Sequence, residues 1–422
     1  MTYDVAAVRA CFPALEERTA HFDGPGGAQV PDMVAAAMAS ALLSSISNRD
    51  RSTRSGRRAD NIVIAARRAV ADLVGGEPAG IVFGRSMTAL TYDMARTLAK
   101  EWRPGDEVIV TRLDHDANVR PWVQAAAAVG AVVRWVDFDP ETGELPAAAF
   151  AAAIGTRTRL AAVTGASNLI GTRPDTAEIA RLVHGAGAYL YVDGVHLAAH
   201  APIDLSDLGA DFFVCSPYKW LGPHCGVLAA DPGLLQELHP DKLLASTDDV
   251  PERFELGTLP YEILAGVAAA VDFIAGLGEL AGAVAPGKDR RTEIVGSMAV
   301  VEAHEDRLRR RIEDAVAGLG GIQMRSRAGR RTPTLLLTFD RLPADDVAGR
   351  LAGEGVNAPA GSFYAIEASR HMGLGDAGGL RVGVAPYTDD DDVDRLLTGL
   401  AGIQGTRRKS TKGPGSGTAR GL

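Results

Sequence analysis

The feature that most limits the fold is an alternation, from about residue 60 onward, between short apolar segments and segments with helical spacing of apolar residues. Residues 61–73 have that helical spacing, and Gly75 and Gly76 follow as a stop signal. The strand-like segments are 81–83, 107–111, 132–136, 160–164, 189–192 and 212–215. Strands and helices that alternate in this way predict βαβ units and an α/β fold with a mostly parallel sheet. Ligands bind such sheets outside the carboxyl ends of the strands.

The pattern changes after residue 284. A charged helical segment is followed by strands and helices of an α+β type, over 288–314, 334–339, 344–354, 380–384 and 389–400. We therefore predict a large domain over 21–284 and a smaller C-terminal domain over 285–404. An N-terminal segment, 1–20, is predicted to pack on the smaller domain. The basic tail, 405–422, is rich in Gly, Ser and Thr and is predicted to be disordered.

Composition excludes several classes of protein. A net charge of −9 argues against nucleic-acid binding. The three cysteines, Cys11, Cys215 and Cys225, form neither a disulfide framework nor a zinc-ligand pattern. The N-terminus lacks the apolar core of a signal peptide, and the apolar stretch 263–274 contains Asp272 and is too short to span a bilayer. We expect a soluble cytoplasmic protein without a metal site.

Lys219 directly follows the predicted strand 212–215, in the segment SPYKWLGPHCG. Most lysines are solvated at the surface, and that is the alternative for this one. However, Ser216, Tyr218 and Trp220 would surround it with hydroxyl groups and aromatic rings. Burial lowers the pKa of a lysine toward the value that Schiff-base chemistry needs. The segment therefore predicts a lysine that forms a Schiff base.

Two further motifs point to one cofactor. Asp193 ends the apolar strand 189–192, where a buried carboxylate needs a cationic partner, and the protonated pyridine nitrogen of pyridoxal phosphate is such a partner. The alternative for Asp193 is a helix cap. The segment GRSMTAL, 84–90, follows a strand and opens a helix, an arrangement that binds phosphate but also serves simply to cap helices.

Separated motifs in the same order, from HFDGPGGAQVP at residue 21 to LRVGVAPYT ending at residue 388, resemble the class V aminotransferase family of fold type I pyridoxal-phosphate enzymes. Within it, the chain resembles the cysteine-desulfurase-like branch. The resemblance implies a homodimer that acts on an amino acid as its small-molecule substrate, with C–S bond cleavage by a desulfurase or a lyase as the expected reaction. An aminotransferase or an epimerase acting on a biosynthetic intermediate remains an alternative, as does a cofactor-free binding protein of the same fold.

The resemblance also implies roles for residues around the cofactor ring. Lys219 would form the internal aldimine and then shuttle protons. Asp193 would pair with the pyridine nitrogen, and His115 would stack on the ring face. His196 stands where many relatives have a glutamine near the phenolic oxygen. Asn168 matches an asparagine near that edge and the substrate carboxylate.

At the phosphate end, the resemblance implies contacts from Met87 (through its backbone), Thr88 and Ser216. Tyr218 stands where desulfurases often have a histidine. Thr258 matches a residue that reaches the phosphate of the neighbouring subunit, which implies that two subunits share each active site.

On the substrate side, the resemblance assigns Arg381 to the α-carboxylate, which a guanidinium grips bidentately; the alternative is an arginine on an exposed strand. Desulfurases also carry a nucleophilic cysteine in a C-terminal loop. The corresponding stretch, 357–373, contains none. Cys225 lies six residues after Lys219 and could approach the site, but we interpret it as a small buried residue.

Overall fold

The structure is a computed structural model that describes residues 3–405. The tail that was predicted to be disordered lies outside these residues, apart from Gly405, at which the last helix ends.

The described residues form two main sheets and a short parallel pair. The strands are β1 (Ala20–His21), β2 (Ile81–Gly84), β3 (Glu107–Thr111), β4 (Val132–Val136), β5 (Thr158–Thr164), β6 (Tyr189–Asp193), β7 (Phe212–Cys215), β8 (Gly226–Ala230), β9 (Ile322–Met324), β10 (Thr334–Phe339), β11 (Val356–Asn357), β12 (Ala360–Gly361) and β13 (Gly379–Gly383).

The helices that connect and cover these strands are α1 (Val5–Arg9), α2 (Asp32–Leu43), α3 (Arg54–Val74), α4 (Met87–Ala99), α5 (Arg120–Val129), α6 (Ala147–Ala153), α7 (Thr176–Gly185), α8 (Leu205–Leu208), α9 (Pro232–Glu237), α10 (Tyr261–Leu280), α11 (Arg290–Ala317), α12 (Ala344–Gly353), α13 (Ile366–His371) and α14 (Asp390–Gly405).

The large sheet has seven strands in the order β2-β8-β7-β6-β5-β3-β4. Its strands run parallel except β8, which is antiparallel to both β2 and β7. The central strands are buried on both faces, since helices cover the two sides, and their side chains belong to two separate apolar clusters. The predicted α/β fold with a mostly parallel sheet is confirmed.

The small sheet is antiparallel, in the order β12-β13-β10-β9. Apolar side chains from α11, α12 and α14 pack on it to form a third cluster, which includes Leu308, Val347 and Leu396. The elements expected in this part of the chain are all present, while the exact division into domains stays a prediction. We call residues 290–405 the C-terminal module and residues 32–280, which contain the large sheet, the large module.

The N-terminal segment contacts the C-terminal part of the chain and also α10. Arg9 donates to the Asp392 carboxylate at 2.7 Å, and the Phe12 ring packs 5.0 Å from Tyr387 and 5.5 Å from Phe273. Strand β1 then pairs in parallel with β11, placing Ala20 opposite Val356. The beginning of the chain therefore contacts both parts of the protein, since Val8, Phe12 and Leu15 belong to the apolar cluster of the large sheet while β1 pairs with β11.

The expectation that the apolar stretch 263–274 is too short to span a bilayer was wrong. The apolar stretch around residues 263–274 belongs to α10, which has 20 residues and is long and apolar enough to cross a membrane. Asp272 does not interrupt this helix, because its side chain is exposed and pairs with Arg290 at 2.9 Å. The helix packs against α2, α3 and α11, and 61% of its most apolar stretch is buried in the protein. Its apolar character therefore serves the core.

Candidate active site

A cavity of about 610 Å³ opens at the carboxyl ends of the strands of the large sheet. Most of the predicted site residues line it, namely Met87, Thr88, His115, Asn168, Asp193, His196, Tyr218, Lys219 and Arg381. The fold brings these residues together because β3, β5, β6 and β7 are parallel, so the segments that follow them meet at one edge. Arg381 comes from the small sheet, and the cavity therefore lies between the two modules.

Lys219 ends a single 3₁₀ turn that follows β7. Its Nζ donates to the Pro25 carbonyl and lies 5.0 Å from the centre of the Tyr218 ring. Burial lowers the pKa of Lys219 to about 7, an effect that the positive charge of Arg381 increases and the carboxylate of Asp193 opposes. A large fraction of this amine is therefore neutral and nucleophilic at neutral pH.

This pKa predicts how the rate of cofactor capture depends on pH. The rate at which the cofactor-free protein captures pyridoxal phosphate should rise through pH 7 and become flat above about pH 8, because only the neutral amine attacks an aldehyde. A lysine with the ordinary pKa of 10.5 would give a rate that continues to rise to pH 10. Stopped-flow absorbance measures this rate, with free acetyl-lysine as the reference. A continued rise between pH 8 and pH 10 would contradict the assignment.

Asp193 is the last residue of β6, and its side chain is buried. Its Oδ1 accepts a hydrogen bond from the backbone N–H of Val195 at 2.9 Å. Burial raises the pKa of Asp193 to about 6, while this amide and the charge of Lys219 act in the opposite direction. The carboxylate is still ionised at neutral pH, so a protonated ring nitrogen would be a suitable partner for it.

His115 is positioned by a short turn that follows β3. Its Nδ1 accepts from the backbone N–H of Ala117 at 3.0 Å. Burial and the charge of Lys219 lower the pKa of His115 to about 4. The ring is therefore neutral, with its proton on Nε2, and its face is free of charge for stacking on an aromatic cofactor.

Three polar atoms of the cavity residues are buried without a hydrogen-bond partner: Asn168 Oδ1, His196 Nδ1 and Arg381 Nε. Buried polar groups are nearly always paired, so three such atoms at one cavity indicate a polar ligand. A lysine, a carboxylate, a neutral histidine face and a helix N-terminus around the same cavity fit pyridoxal phosphate.

His196 is held by the C-terminal module. Its Nε2 lies 3.0 Å from the hydroxyl groups of both Thr332 and Thr334. Burial lowers its pKa well below the ordinary value, assisted by the charges of His200 and Lys219. The ring is therefore neutral, and its Nδ1 has no hydrogen-bond partner.

Arg381 lies in β13 and is fully enclosed. Its Nη1 donates to the Asn168 carbonyl at 3.0 Å, and the Phe363 ring centre lies 3.6 Å from its guanidinium carbon. Burial lowers the pKa of Arg381 to about 9, which the nearby Asp23 opposes, so the group stays protonated. The edge that contains Nε remains available for a carboxylate.

The predicted phosphate site lies at the first turn of α4. Ser86 caps this helix by accepting from the backbone N–H of Ala89 at 3.1 Å. The first-turn amides of Met87 and Thr88 have no acceptor within a helix and lie at the cavity wall. A side chain at Gly226 would place its Cβ 2.5 Å from the Met87 nitrogen, so only glycine allows β8 to approach this turn.

Ser216 and Thr258 are not among the residues that line the cavity. Ser216 is buried directly before the lysine turn, and Thr258 is exposed in the loop that precedes α10. Their roles toward the phosphate stay predictions. Cys225 is buried, its pKa is raised by burial, and neither it nor another cysteine in residues 3–405 lines the cavity.

Three residues that line the cavity were not predicted from the sequence: the adjacent aromatic residues Phe363 and Tyr364, and the basic residue Arg120. The stretch 357–373 was considered only for its lack of cysteine. A signal was present, because two adjacent aromatic residues in a loop are unusual, but their position depends on contacts with the large module.

The family model Aminotransferase class-V matches residues 20–396. This chain belongs to the class V aminotransferase family. Members of the family use pyridoxal phosphate, so this class V protein is a pyridoxal-phosphate enzyme, and the cavity described above is suited to that cofactor.

Relatives of this class V enzyme span nearly all of its length. An uncharacterized protein of Mycobacterium tuberculosis, MT3887, is 34% identical over 96% of this chain and 100% of its own length. A probable cysteine desulfurase of Pseudomonas aeruginosa is 31% identical, covering 93% of this chain and 96% of its own. The crystal structure of the cysteine desulfurase CsdA from Escherichia coli superimposes with a TM-score of 0.83 at 27% identity, over 96% of this chain and 99% of the other. These relatives confirm the cysteine-desulfurase-like branch.

Proposed function

We propose that this enzyme cleaves the C–S bond of a cysteine-type amino acid by β-elimination. The observation that carries this proposal is a cavity that combines Lys219, Asp193 and Arg381 but is lined by no cysteine within residues 3–405. A persulfide-forming desulfurase needs a thiol that takes the sulfur atom from the substrate. Without one, the sulfur leaves with its electron pair as a thiol or sulfide, and the remaining carbon skeleton is released as pyruvate and ammonium after water is added.

Arg381, Lys219 and Asp193 have separate roles in this reaction. Bound pyridoxal phosphate supplies an aldehyde for the amino group and a ring that withdraws electrons from Cα. Arg381 grips the α-carboxylate through its open edge and so fixes which bond at Cα faces the ring. Lys219, whose pKa is near 7, takes the Cα proton as a general base. Asp193 holds the proton on the ring nitrogen that keeps the ring electron-poor.

Identification of the products tests the proposal. The cofactor-loaded protein is incubated with L-cysteine and with S-substituted cysteines, and the products are identified by mass spectrometry. We expect pyruvate and ammonium with an equal amount of hydrogen sulfide from L-cysteine, or of the corresponding thiol from an S-substituted cysteine. Alanine with released sulfur would mean that sulfur transfer occurs, and a keto acid that retains the sulfur would mean transamination. Either result would overturn β-elimination.

A substitution of Cys225 tests the alternative that the enzyme is a persulfide-forming desulfurase. Because its thiol is buried and its pKa is raised, we expect Cys225→Ser to change kcat/KM by less than about threefold, as for an ordinary substitution at a small buried residue. The measurement is thiol release under subsaturating substrate, with Cys11→Ser as the matched control. A loss of 100-fold or so, the scale of a lost catalytic group, would restore the role of a nucleophilic cysteine.

We also propose that the enzyme is a cytoplasmic homodimer with shared active sites. Thr258 supports this proposal, because it is exposed and away from the cavity of its own chain, as a residue that serves the neighbouring subunit would be. Exposed apolar side chains at Leu43, Leu244 and Leu256 offer surface that a second copy could cover. Light scattering of the purified protein measures the oligomeric state.

A further inference from the structure

Phe363 and Tyr364 are consecutive residues with left-handed backbone conformations, at φ angles of 52° and 59°. Bulky side chains rarely adopt this region, and two in succession need strong support from their surroundings. Such residues cluster at ligand clamps, where the surrounding structure determines the conformation. Both residues line the cavity, so the unusual backbone lies at the site itself.

The large module provides that support through the backbone of the pair. The Phe363 carbonyl accepts from Asn168 Nδ2 at 2.9 Å, and the Tyr364 carbonyl accepts from the backbone N–H of Asp116 at 2.8 Å. Two residues further along, α13 begins, and its Glu367 pairs with Arg120 at 3.2 Å. The loop is thus fixed on both sides of the cavity.

The two rings have different surroundings. Phe363 covers one face of the Arg381 guanidinium, with its ring centre 3.6 Å from the guanidinium carbon. Tyr364 is 76% exposed, and its ring centre lies 5.5 Å from that of His115. Phe363 therefore covers the group that would bind the carboxylate, whereas Tyr364 lines the cavity with a largely uncovered aromatic surface beside the His115 ring.

We propose that Tyr364 forms an aromatic subsite for the substituent on the substrate's sulfur, while Phe363 positions Arg381, so that the substrate is a cysteine with an apolar or aromatic group on sulfur. The inference rests on the proposed C–S cleavage and identifies its substrate class. The cavity of about 610 Å³ must hold both the cofactor and the substrate, and it lies within the range of about 300–1,000 Å³ for ligand sites.

The reaction balances for this class. The bond between Cβ and sulfur breaks, and its electron pair leaves on the substituted sulfur as a thiolate. The Cα proton passes to Lys219, and a proton from solvent converts the thiolate to a thiol. Addition of one water to the three-carbon product gives pyruvate and ammonium, with no external oxidant or reductant.

Ligand binding tests the subsite independently of turnover. L-homophenylalanine has a methylene in place of the sulfur of S-phenyl-L-cysteine and cannot lose a thiol, and L-alanine serves as the small reference. Dissociation constants follow from the change in cofactor absorption on titration. Because an aromatic contact of this kind changes affinity about tenfold, we expect Tyr364→Gly to weaken binding of homophenylalanine by about that factor and leave binding of alanine unchanged.

Glycine suits this test because it adopts the left-handed conformation without cost, so the backbone of the loop is retained while the ring is lost. Tyr364→Phe is the matched control and should keep the preference for homophenylalanine. Equal loss for both ligands, or no change for either, would overturn the subsite.

The failure of the subsite and the failure of the proposed function can be told apart. If the wild type prefers homophenylalanine but releases no thiol from S-phenyl-L-cysteine, the subsite stands as a binding site and C–S cleavage falls. If L-cysteine is cleaved but the wild type binds alanine and homophenylalanine equally, C–S cleavage stands and the subsite is overturned.

Discussion

Lys219→Ala should lower kcat by a factor of about 10²–10⁴ or more, the contribution of a positioned proton-transfer group, and should abolish the covalent attachment of pyridoxal phosphate. Lys219 lines the cavity, and its amine has the lowered pKa that both tasks need. No other lysine lines the cavity within the described residues, so nothing in its wall can substitute. Turnover assays and the mass of the protein after borohydride reduction give the two results separately.

The matched control is Lys100→Ala, which removes an exposed lysine that pairs with Asp241 on the surface. It should keep both full activity and the mass increase after reduction, since surface ion pairs contribute little. Full activity in Lys219→Ala, or a cofactor that remains covalently attached in it, would show that Lys219 has been assigned incorrectly.

Arg381→Ala should raise KM for the amino acid by about 10- to 100-fold, the factor that corresponds to the loss of hydrogen bonds between charged groups. Cofactor binding should change much less, because Arg381 comes from β13 of the small sheet, whereas Asp193 and the start of α4 belong to the large module. Steady-state kinetics give KM, and a titration with pyridoxal phosphate gives the affinity for the cofactor.

The variant Arg381→Lys tests whether the carboxylate is bound by the positive charge alone or also by the planar shape of the guanidinium. It keeps the positive charge but lacks the planar fork, and it loses both the stacking on Phe363 and the bond to Asn168. We expect it to recover only part of the affinity for the amino acid. An unchanged KM in Arg381→Ala would remove Arg381 from the carboxylate site, and an equal loss of cofactor affinity would point to a general disruption of the cavity.

Much of the large sheet could be predicted because its strands are short apolar runs that end in polar or glycine-rich segments. The residues at these ends, Asp193 and Lys219, were accordingly found from the sequence. Strand β8 was not, because its five small and apolar residues follow the lysine loop closely and its pairing is antiparallel on both sides. The local sequence pattern shows neither that β8 is a separate strand nor that its pairing is antiparallel.

Contacts between distant segments explain the other omissions. The left-handed conformations of Phe363 and Tyr364 oppose local preference and exist because of partners far away in the sequence. The bonds from Thr332 and Thr334 to His196 likewise depend on how the two modules are placed. The length of α10 was underestimated because the exposure of Asp272 cannot be known before its helix is packed.

The parallel pairing of β1 with β11 has a consequence for biosynthesis. Ala20 leaves the ribosome early, whereas its partner Val356 is among the later residues to appear. The first residues to be made therefore pair with a strand that is made near the end, and β1 stays without its partner until Val356 has been synthesised. Since only two residues on each strand close this long loop, we expect the pair to form late and to open before the larger sheets when the protein is stressed.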